Sequence, residues 1–382
     1  MIVTKLVLKN WRNFSLVDVK LGKRIFLVGP NAAGKSNFLE VFRFLRDTAK
    51  SEGGGLQDAI REAGGLKKLR CLAARKRPDV EIEVHLGDSS DKPPTWEYSI
   101  GITQKGGEIN KPRLAYERVV HNAVTMLNRP DEKDKKDPER LTQTLLEQTF
   151  ANEGFREVAK FFESVAYVHL VPQLVRHAER YTAQRLASDP FGLNFMDRLS
   201  TTAKGERTAF LQRVGKALRV AVPQFKKLSY VEDKKGNPHV QVIYEHWRPK
   251  GARQQEDQFS DGTIRLLGLF WALLENKGML LLEEPELSLN NEIISQIPSL
   301  MHKVSGGRDH QVLVSTHSYA LLADKGIGLE EVLLLTPDTE GTKVTQASSK
   351  KEVKALVEGG MAVGDAVLPF TNPPEAYQMS LI

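Results

Sequence analysis

The segment from Gly29 to Ser36 combines glycine, lysine and serine at a spacing that suits the binding of a phosphate chain. It fits the pattern G-x-x-x-x-G-K-[ST] and is called the P-loop below. Its residues, in order, are Gly29, Pro30, Asn31, Ala32, Ala33, Gly34, Lys35 and Ser36. The glycines let the backbone turn tightly and bring N–H groups close to phosphate oxygens. We expect Lys35 to reach the β- and γ-phosphates of a nucleoside triphosphate, and the Ser36 hydroxyl to hold Mg²⁺.

The flanking sequence predicts the elements that this loop needs. Apolar residues 25–28 predict a buried strand, and apolar residues at helical spacing from Phe38 to Leu45 predict a helix. The helix N-terminus adds a partial positive charge at the phosphates. We therefore expect all residues from Gly29 to Asn37 to contact the nucleotide. Arg12, after the first predicted strand, could approach it as well or could be an ordinary surface arginine.

A second strand, at 279–282, ends in two carboxylates, Glu283 and Glu284. Its run of leucines predicts burial on both faces, and ligands bind at the carboxyl ends of parallel strands. We expect Glu283 to support Mg²⁺, through water, and Glu284 to orient and deprotonate an attacking water. The alternative is an acidic strand end at the surface.

Two further groups could contact a γ-phosphate. Ser260, Asp261 and Gly262 precede a predicted helix, where a hydroxyl and a glycine amide suit an anion, although such residues also cap helices without any ligand. His317 follows the predicted strand 311–315. The alternative is that this histidine is structural.

Composition limits the classes of protein. The 382 residues carry a net charge of +6 and a single cysteine, Cys71, which excludes an intramolecular disulfide and a cysteine metal cluster. No apolar run resembles a signal peptide or a membrane span, so we expect a cytoplasmic protein without membrane contact. Nucleic acid is a candidate partner because basic residues cluster between 67 and 77; the alternative is a solvated turn. The cluster comprises Lys67, Lys68, Arg70, Arg75, Lys76 and Arg77.

The element pattern predicts an α/β fold in three segments. Residues 1–125 form a lobe with the P-loop and antiparallel strands, 126–225 a mainly helical insertion, and 226–382 a second lobe. The charged stretch 129–138, with its two prolines, predicts a solvent-exposed loop.

In this order the motifs resemble those of ABC-type ATPases of the SMC/RecF/OLD-like group. The sequence is most similar to stand-alone bacterial ATPases that carry the strings at Tyr244–Pro249 and Gln258–Thr263. The resemblance implies a P-loop NTPase head that pairs head-to-tail with a second copy around ATP. The serine of the signature, Ser260–Thr263, would then contact the ATP of the other head. It also implies that Gln173 senses Mg²⁺ and the attacking water.

Two residues depart from the pattern of this group; Mg²⁺ tolerates the first if water intervenes, and the second suggests slow turnover. Glu283 replaces the usual metal-associated aspartate, and Asp261 replaces a signature glycine. Only about 65 residues follow His317, too few for the nuclease domain of OLD-type proteins, and no sustained heptads appear. By likeness to heads found in anti-phage defence systems, we expect a separate effector protein such as a nuclease.

Three hypotheses follow from the sequence. The first is a hydrolysing ATP switch that dimerises and controls a partner. The second is a nucleotide-binding scaffold with little hydrolysis. The third is a DNA-repair clamp of the RecF type.

Overall fold

The computed structural model describes residues 1–74, 79–104, 111–178, 189–247, 251–276, 278–305 and 310–371. The chain forms two compact units. Unit 1 comprises Met1–Val165, His310–His317 and Gly328–Ile382, and unit 2 comprises Ala166–Asp309 and Ser318–Ile327. This division differs from the three segments 1–125, 126–225 and 226–382, which stay a prediction.

The first part of unit 1 contains a six-stranded antiparallel sheet in the order β2-β1-β4-β5-β6-β7. Its apolar side chains alternate, as in β4, where Val80, Ile82, Val84 and Leu86 are buried. The strands up to residue 129 are β1 (Ile2–Trp11), β2 (Phe14–Lys20), β3 (Arg24–Val28), β4 (Val80–Gly87), β5 (Trp96–Thr103), β6 (Arg113–His121) and β7 (Val124–Arg129). The helices up to residue 163 are α1 (Lys35–Ala49), α2 (Leu56–Glu62), α3 (Leu66–Leu69), α4 (Glu132–Lys136) and α5 (Arg156–Glu163).

Helix α1 packs its aromatic residues against the turn that joins β1 to β2. The ring centroids of Phe44 and Trp11 lie 5.3 Å apart in an edge-to-face arrangement, and those of Phe38 and Phe14 lie 6.2 Å apart. These buried rings fix the start of α1 relative to the β1–β2 turn, because edge-to-face aromatic pairs are specific in geometry.

The segment 129–138 was predicted to be a solvent-exposed loop; most of its residues are exposed, but the segment is partly helical and two of its charged side chains are buried. It contains helix α4, which begins with a capping box between Asp131 and Asp134. The guanidinium of Arg129 is fully buried between Asp134, at 2.9 Å, and Glu117, at 2.9 Å. Arg129 and Asp134 therefore neutralise one another inside unit 1, whereas most of the other charged residues of the segment are exposed.

Unit 2 combines a three-stranded antiparallel sheet, β11-β10-β9, with helices and a parallel strand pair. Helix α9 is buried along most of its length, and β12 pairs with β8, with Leu280 opposite Ala166. The strands are β8 (Ala166–Val168), β9 (Phe225–Glu232), β10 (Pro238–Tyr244), β11 (Ala252–Gln255) and β12 (Leu280–Glu283). The helices are α6 (Pro172–Arg176), α7 (Phe195–Thr201), α8 (Lys204–Ala221), α9 (Asp261–Glu275), α10 (Asn291–Ile294), α11 (Ile297–Ser305) and α12 (Tyr319–Leu322).

The last part of the chain returns to unit 1 and places strands on both sides of β3. Strand β13 runs parallel to β3 with Thr316 opposite Val28, and β14 runs parallel to β3 with Leu334 opposite Val28. The elements are β13 (Val312–Thr316), β14 (Val332–Asp338), β15 (Gly341–Gln346), α13 (Lys351–Glu358) and α14 (Val363–Val367). The loop after Val28 therefore leaves the sheet between two buried strands.

The part of the predicted helical insertion between Leu141 and Phe162 has apolar residues at helical spacing but is only partly helical. Short 3₁₀ turns occupy Pro138–Thr142 and Glu153–Phe155, and α5 begins at Arg156.

None of the helices in the described residues combines the length and the apolar character that a membrane span requires.

Candidate nucleotide-binding site

The P-loop connects β3 to α1, and each of its two glycines is required for a different steric reason. Gly34 has φ +94°, and a Cβ there would lie 2.2 Å from Nδ2 of Asn13. A Cβ on Gly29 would lie 2.5 Å from the carbonyl oxygen of Leu335 on β14. Any larger residue would therefore displace the loop from its neighbours.

The lysine of the loop is turned back over the loop itself. Lys35 is 7% exposed, and its Nζ donates to the carbonyl oxygens of Gly29, at 2.9 Å, and Pro30, at 3.1 Å. Asn31, Ala32 and Ser36 are exposed around it. The first N–H groups of α1 have no acceptor within the helix, and its first turn has no acidic residue.

Asn13 braces the P-loop, a role that sequence analysis missed. Its Nδ2 donates to the carbonyl of Ala33, at 3.0 Å, and to Oγ1 of Thr342, at 2.8 Å. Its Oδ1 accepts from Nδ2 of Asn37, at 2.8 Å. Trp11 adds a bond from Nε1 to the carbonyl of Asn37, at 2.8 Å. The signal available in the sequence was the short polar turn between β1 and β2.

For Arg12 the sequence left open a nucleotide contact or an ordinary surface position, and its guanidinium is engaged elsewhere in unit 1. It forms a bidentate ion pair with Glu40 on α1, through Nε at 2.8 Å and through one terminal nitrogen. It also donates to the carbonyls of Ala63, at 3.1 Å, and Lys68, at 3.0 Å. A nucleotide contact by Arg12 stays a prediction and would require exchange of these bonds.

His317 follows directly after β13. Because Thr316 pairs with Val28, the last residue before the P-loop, His317 leaves the sheet at the edge where the P-loop begins. Its side chain is exposed. This position agrees with a contact to bound phosphate, and the contact itself stays a prediction.

In unit 2, the carboxylates Glu283 and Glu284 stand at the end of β12. The hydroxyl of Tyr167 on β8 donates to Oε2 of Glu283, and the Nδ1 of His169 lies 3.3 Å from the Glu283 carbonyl oxygen. Glu284 has φ +44°, in the left-handed region that side chains other than glycine adopt at a cost of order 1 kcal/mol. The chain thus turns sharply at the residue predicted to be the general base.

The signature stands at the N-terminus of α9. The Oγ of Ser260 accepts from the N–H of Thr263, at 3.2 Å, and caps the helix. Asp261 accepts from Arg176, at 2.7 Å, and from Nε2 of Gln173, at 3.3 Å. Gln173, predicted to sense Mg²⁺, therefore contacts the signature aspartate, and its metal role stays a prediction.

Gly262 and Arg265, both on α9, lie close to the segment that follows Glu283 at the end of β12. A Cβ on Gly262 would lie 2.8 Å from the Ser288 carbonyl oxygen. Arg265, which the sequence did not single out, lies near Asp261, Glu284 and Glu286. Burial lowers the pKa of Arg265, and these carboxylates act in the opposite direction.

The residues present fit a nucleoside triphosphate with Mg²⁺. The P-loop provides a cradle that a Cβ at Gly29 or Gly34 would fill, next to a buried ammonium. In unit 1, the Ser36 hydroxyl next to this cradle is an oxygen donor of the kind that Mg²⁺ prefers.

The basic cluster at 67–77 is only partly described, since Arg75, Lys76 and Arg77 lie outside the described residues. Arg61, Lys67, Arg70 and Lys111 line a cavity of about 840 Å³ in unit 1. Nucleic-acid binding by this cluster stays a prediction.

Comparisons with known proteins agree with the geometry. A family model described as "AAA domain, putative AbiEii toxin, Type IV TA system" matches residues 24–323. The DNA replication and repair protein RecF of Roseiflexus castenholzii (strain DSM 13941 / HLO8) is 36% identical over 136 residues. That match spans 34% of this chain and 32% of RecF.

Solved structures share the fold. The SmcHead bound to the C-winged helix domain of ScpA superposes with a TM-score of 0.55 at 14% identity, covering 90% of this chain and 97% of that chain. The Smc head domain with an extended coiled coil, bound to the C-terminal domain of ScpA derived from Pyrococcus furiosus, superposes with a TM-score of 0.52 at 12% identity. The superposition covers 94% of this chain and 100% of that chain. The predicted fold class, an α/β P-loop NTPase head with an antiparallel layer, is confirmed. The chain belongs to the AAA-domain family whose model it matches; it resembles part of RecF in sequence and the Smc heads in fold.

Proposed function

We propose that this protein is an ATP-hydrolysing switch that pairs head-to-tail around ATP and controls a separate effector. The observation that carries the proposal is the P-loop. Two sterically required glycines, a buried lysine and the open N-terminus of α1 form one phosphate cradle in unit 1.

The proposed roles follow the chemistry of each side chain. Lys35 neutralises charge on the β- and γ-phosphates, and Glu284 orients and deprotonates the attacking water. His317 donates to the γ-phosphate. Ser36, Glu283 and Gln173 hold Mg²⁺, which when bound neutralises phosphate charge. Residues Gly29 to Asn37 and Arg12 form the nucleotide contacts of the holding subunit.

Dimerisation completes the site in this proposal. Ser260, Asp261 and Gly262 of one copy approach the γ-phosphate held by the other copy. The position of Ser260 at the start of a 15-residue helix supports this, because helix N-termini attract anions. The Smc heads with the same fold are bound to domains of ScpA, which supports the docking of a partner protein.

The test combines hydrolysis with assembly. Phosphate release is measured on purified protein, with Lys35→Ala as the blank, and mass is measured by light scattering with and without ATP. Glu284→Gln should bind ATP, release little phosphate and accumulate as a dimer. Hydrolysis by Glu284→Gln at the wild-type rate would contradict the assigned base.

A nucleotide-binding scaffold with little hydrolysis is the second candidate. Two contacts favour it. The hydroxyl of Tyr167 donates a hydrogen bond to a carboxylate oxygen of Glu283, and the guanidinium of Arg176 donates to the carboxylate of Asp261 in the signature. The same assay separates the candidates. A scaffold dimerises with ATP while phosphate release stays at the level of Lys35→Ala.

We further propose a nuclease-like effector in anti-phage defence, in the cytoplasm, from likeness to stand-alone heads of this type. Affinity purification of the intact protein from its own cells, with and without ATP, tests this. An ATP-dependent partner that carries nuclease activity supports the proposal, and a purification that yields the ATPase alone in both conditions contradicts it.

A further inference from the structure

A groove in unit 2, between helix α8 and strand β9, is lined by cationic side chains. It has a volume of about 470 Å³, and none of the described residues that line it is acidic. The cations are Lys204, Arg207, Lys216, Arg219, Lys226 and Lys227. A neighbouring cavity of about 400 Å³ shares Lys216 and adds Arg213 and Lys303. These two cavities together are called the α8 groove.

The concentration of charge in the α8 groove is high for this protein. Eight cationic side chains and no acidic one are among the described residues that line it, whereas the whole chain carries 54 lysines and arginines against 48 acidic residues. Glu206, the acidic residue of α8, does not line it. Like charges at neighbouring helix and strand positions repel one another, so this arrangement reduces folding stability unless a polyanion covers it.

The cations form a track that is too long for a single small anion. Lys204 and Arg219 lie on the groove side of α8, and 15 residues at 1.5 Å each place them about 22 Å apart. At about 3.4 Å per nucleotide, this length matches roughly six nucleotides of one strand. A free phosphate or a mononucleotide would leave most of the cations uncovered.

The side chains of the groove suit a sugar–phosphate backbone better than a protein surface. Gln212 stands among the cations and can donate to phosphate or sugar oxygens. The hydroxyls of Thr208 and Ser229 donate to backbone carbonyls and can accept from sugar hydroxyls. The ring of Tyr230 is already covered by the guanidinium of Arg207, 3.7 Å from its centroid. Protein interfaces instead place aromatic anchors at their centre and are depleted in lysine.

We propose that the α8 groove binds the backbone of nucleic acid without sequence preference. The lysines at positions 204, 216 and 227 are exposed and available to phosphates. Lys226 lies 3.4 Å from Glu245 in an exposed pair, which a phosphate can replace at little cost. The proposal does not depend on ATP hydrolysis, so the two can fail separately.

The test uses the full chain and a labelled 20-base-pair DNA of random sequence, with binding followed by fluorescence anisotropy from about 50 to 200 mM salt. Wild type should bind with affinity that falls steeply with salt. Lys216→Glu/Lys227→Glu should weaken binding at least about tenfold and make the log–log salt slope shallower by about two, because each phosphate contact contributes about 0.9. Binding of a fluorescent ATP analogue should stay unchanged and shows that the variant is folded.

Two charge-matched variants serve as controls. Lys325→Glu/Lys351→Glu changes exposed lysines that do not line the groove, and Lys67→Glu/Lys68→Glu changes the cluster in unit 1. Both should keep more affinity than the groove variant. Absent or salt-independent DNA binding overturns the proposal, and so does an equal loss in the first control or a greater loss in the cluster variant. Displacement of DNA by polyglutamate at equal charge concentration overturns it too, and indicates an acidic protein partner.

Discussion

The side-chain amide of Asn37 donates a 2.8 Å hydrogen bond to Oδ1 of Asn13, across the start of helix α1. The same Asn13 holds the carbonyl of Ala33 inside the P-loop. One short turn between two strands thus fixes both the loop and the first turn of the helix that follows it.

Replacing Asn13 with alanine should loosen the P-loop. Asn13→Ala leaves the carbonyl of Ala33 and the amide of Asn37 without this partner, and an unsatisfied group costs about 1–3 kcal/mol. We expect about a tenfold loss in affinity for a fluorescent ATP analogue, together with a lower free energy of unfolding in urea. Thr342→Val is the matched control, since it removes one acceptor of Asn13 and leaves the loop bond in place. Wild-type affinity in Asn13→Ala would show that the brace is dispensable.

Removing the negative charge of Asp261 should speed the switch. Near a γ-phosphate this carboxylate is repulsive, by about 1 kcal/mol for charges 4 Å apart in water, which corresponds to about fivefold. Asp261→Asn should therefore raise phosphate release and ATP-dependent dimerisation several-fold. Arg176→Gln should have the opposite effect, because it exposes the charge that Arg176 now neutralises. Slower turnover in Asp261→Asn, measured by phosphate release, would count against a signature that meets ATP.

The buried ion cluster in unit 1 should be costly to break. Arg129→Met leaves Glu117 and Asp134 buried without their cation, and removal of one partner from such a cluster costs about 3–5 kcal/mol. Arg140 also bonds Asp134, at 3.1 Å, but is 38% exposed, so Arg140→Met should cost under about 1 kcal/mol. Urea denaturation at pH 7 measures both. Equal costs for the two variants would contradict the difference in burial.

The same cluster predicts a pH dependence of stability. Hydrogen bonds from Arg129 hold the pKa of Asp134 well below its ordinary value of 3.8. A lowered carboxyl pKa stabilises the folded state above the unfolded pKa, and this contribution is lost as pH falls below about 4. The difference in free energy of unfolding between wild type and Asp134→Asn should thus be constant from about pH 7 to 5 and shrink below about pH 4. A difference that grows with acidity would contradict the sign of this shift.

Short motifs and periodic patterns made the fold predictable. The P-loop is one contiguous run whose geometry depends on glycine at fixed positions, and Gly34 indeed has a positive φ. Apolar runs predicted the strands at 25–28, 279–282 and 311–315, and these are β3, β12 and β13 to within about one residue. Glu283, Glu284 and His317 lie at the ends of predicted strands. The sequence could therefore place each residue on an element, but it could not predict which side chains contact it.

The sequence by itself determined the fold class, the family and the candidate residues, because those depend on local spacing and on side-chain type. Only the tertiary structure decided that Asn13 bonds Thr342, that Arg176 holds Asp261 and that Arg129 is buried. Each of these contacts joins polar groups whose energy depends on burial and on a partner elsewhere in the fold. Arg129 looks solvated in the sequence until folding buries it beside Glu117 and Asp134. The α8 groove likewise forms only when α8 and β9 pack side by side.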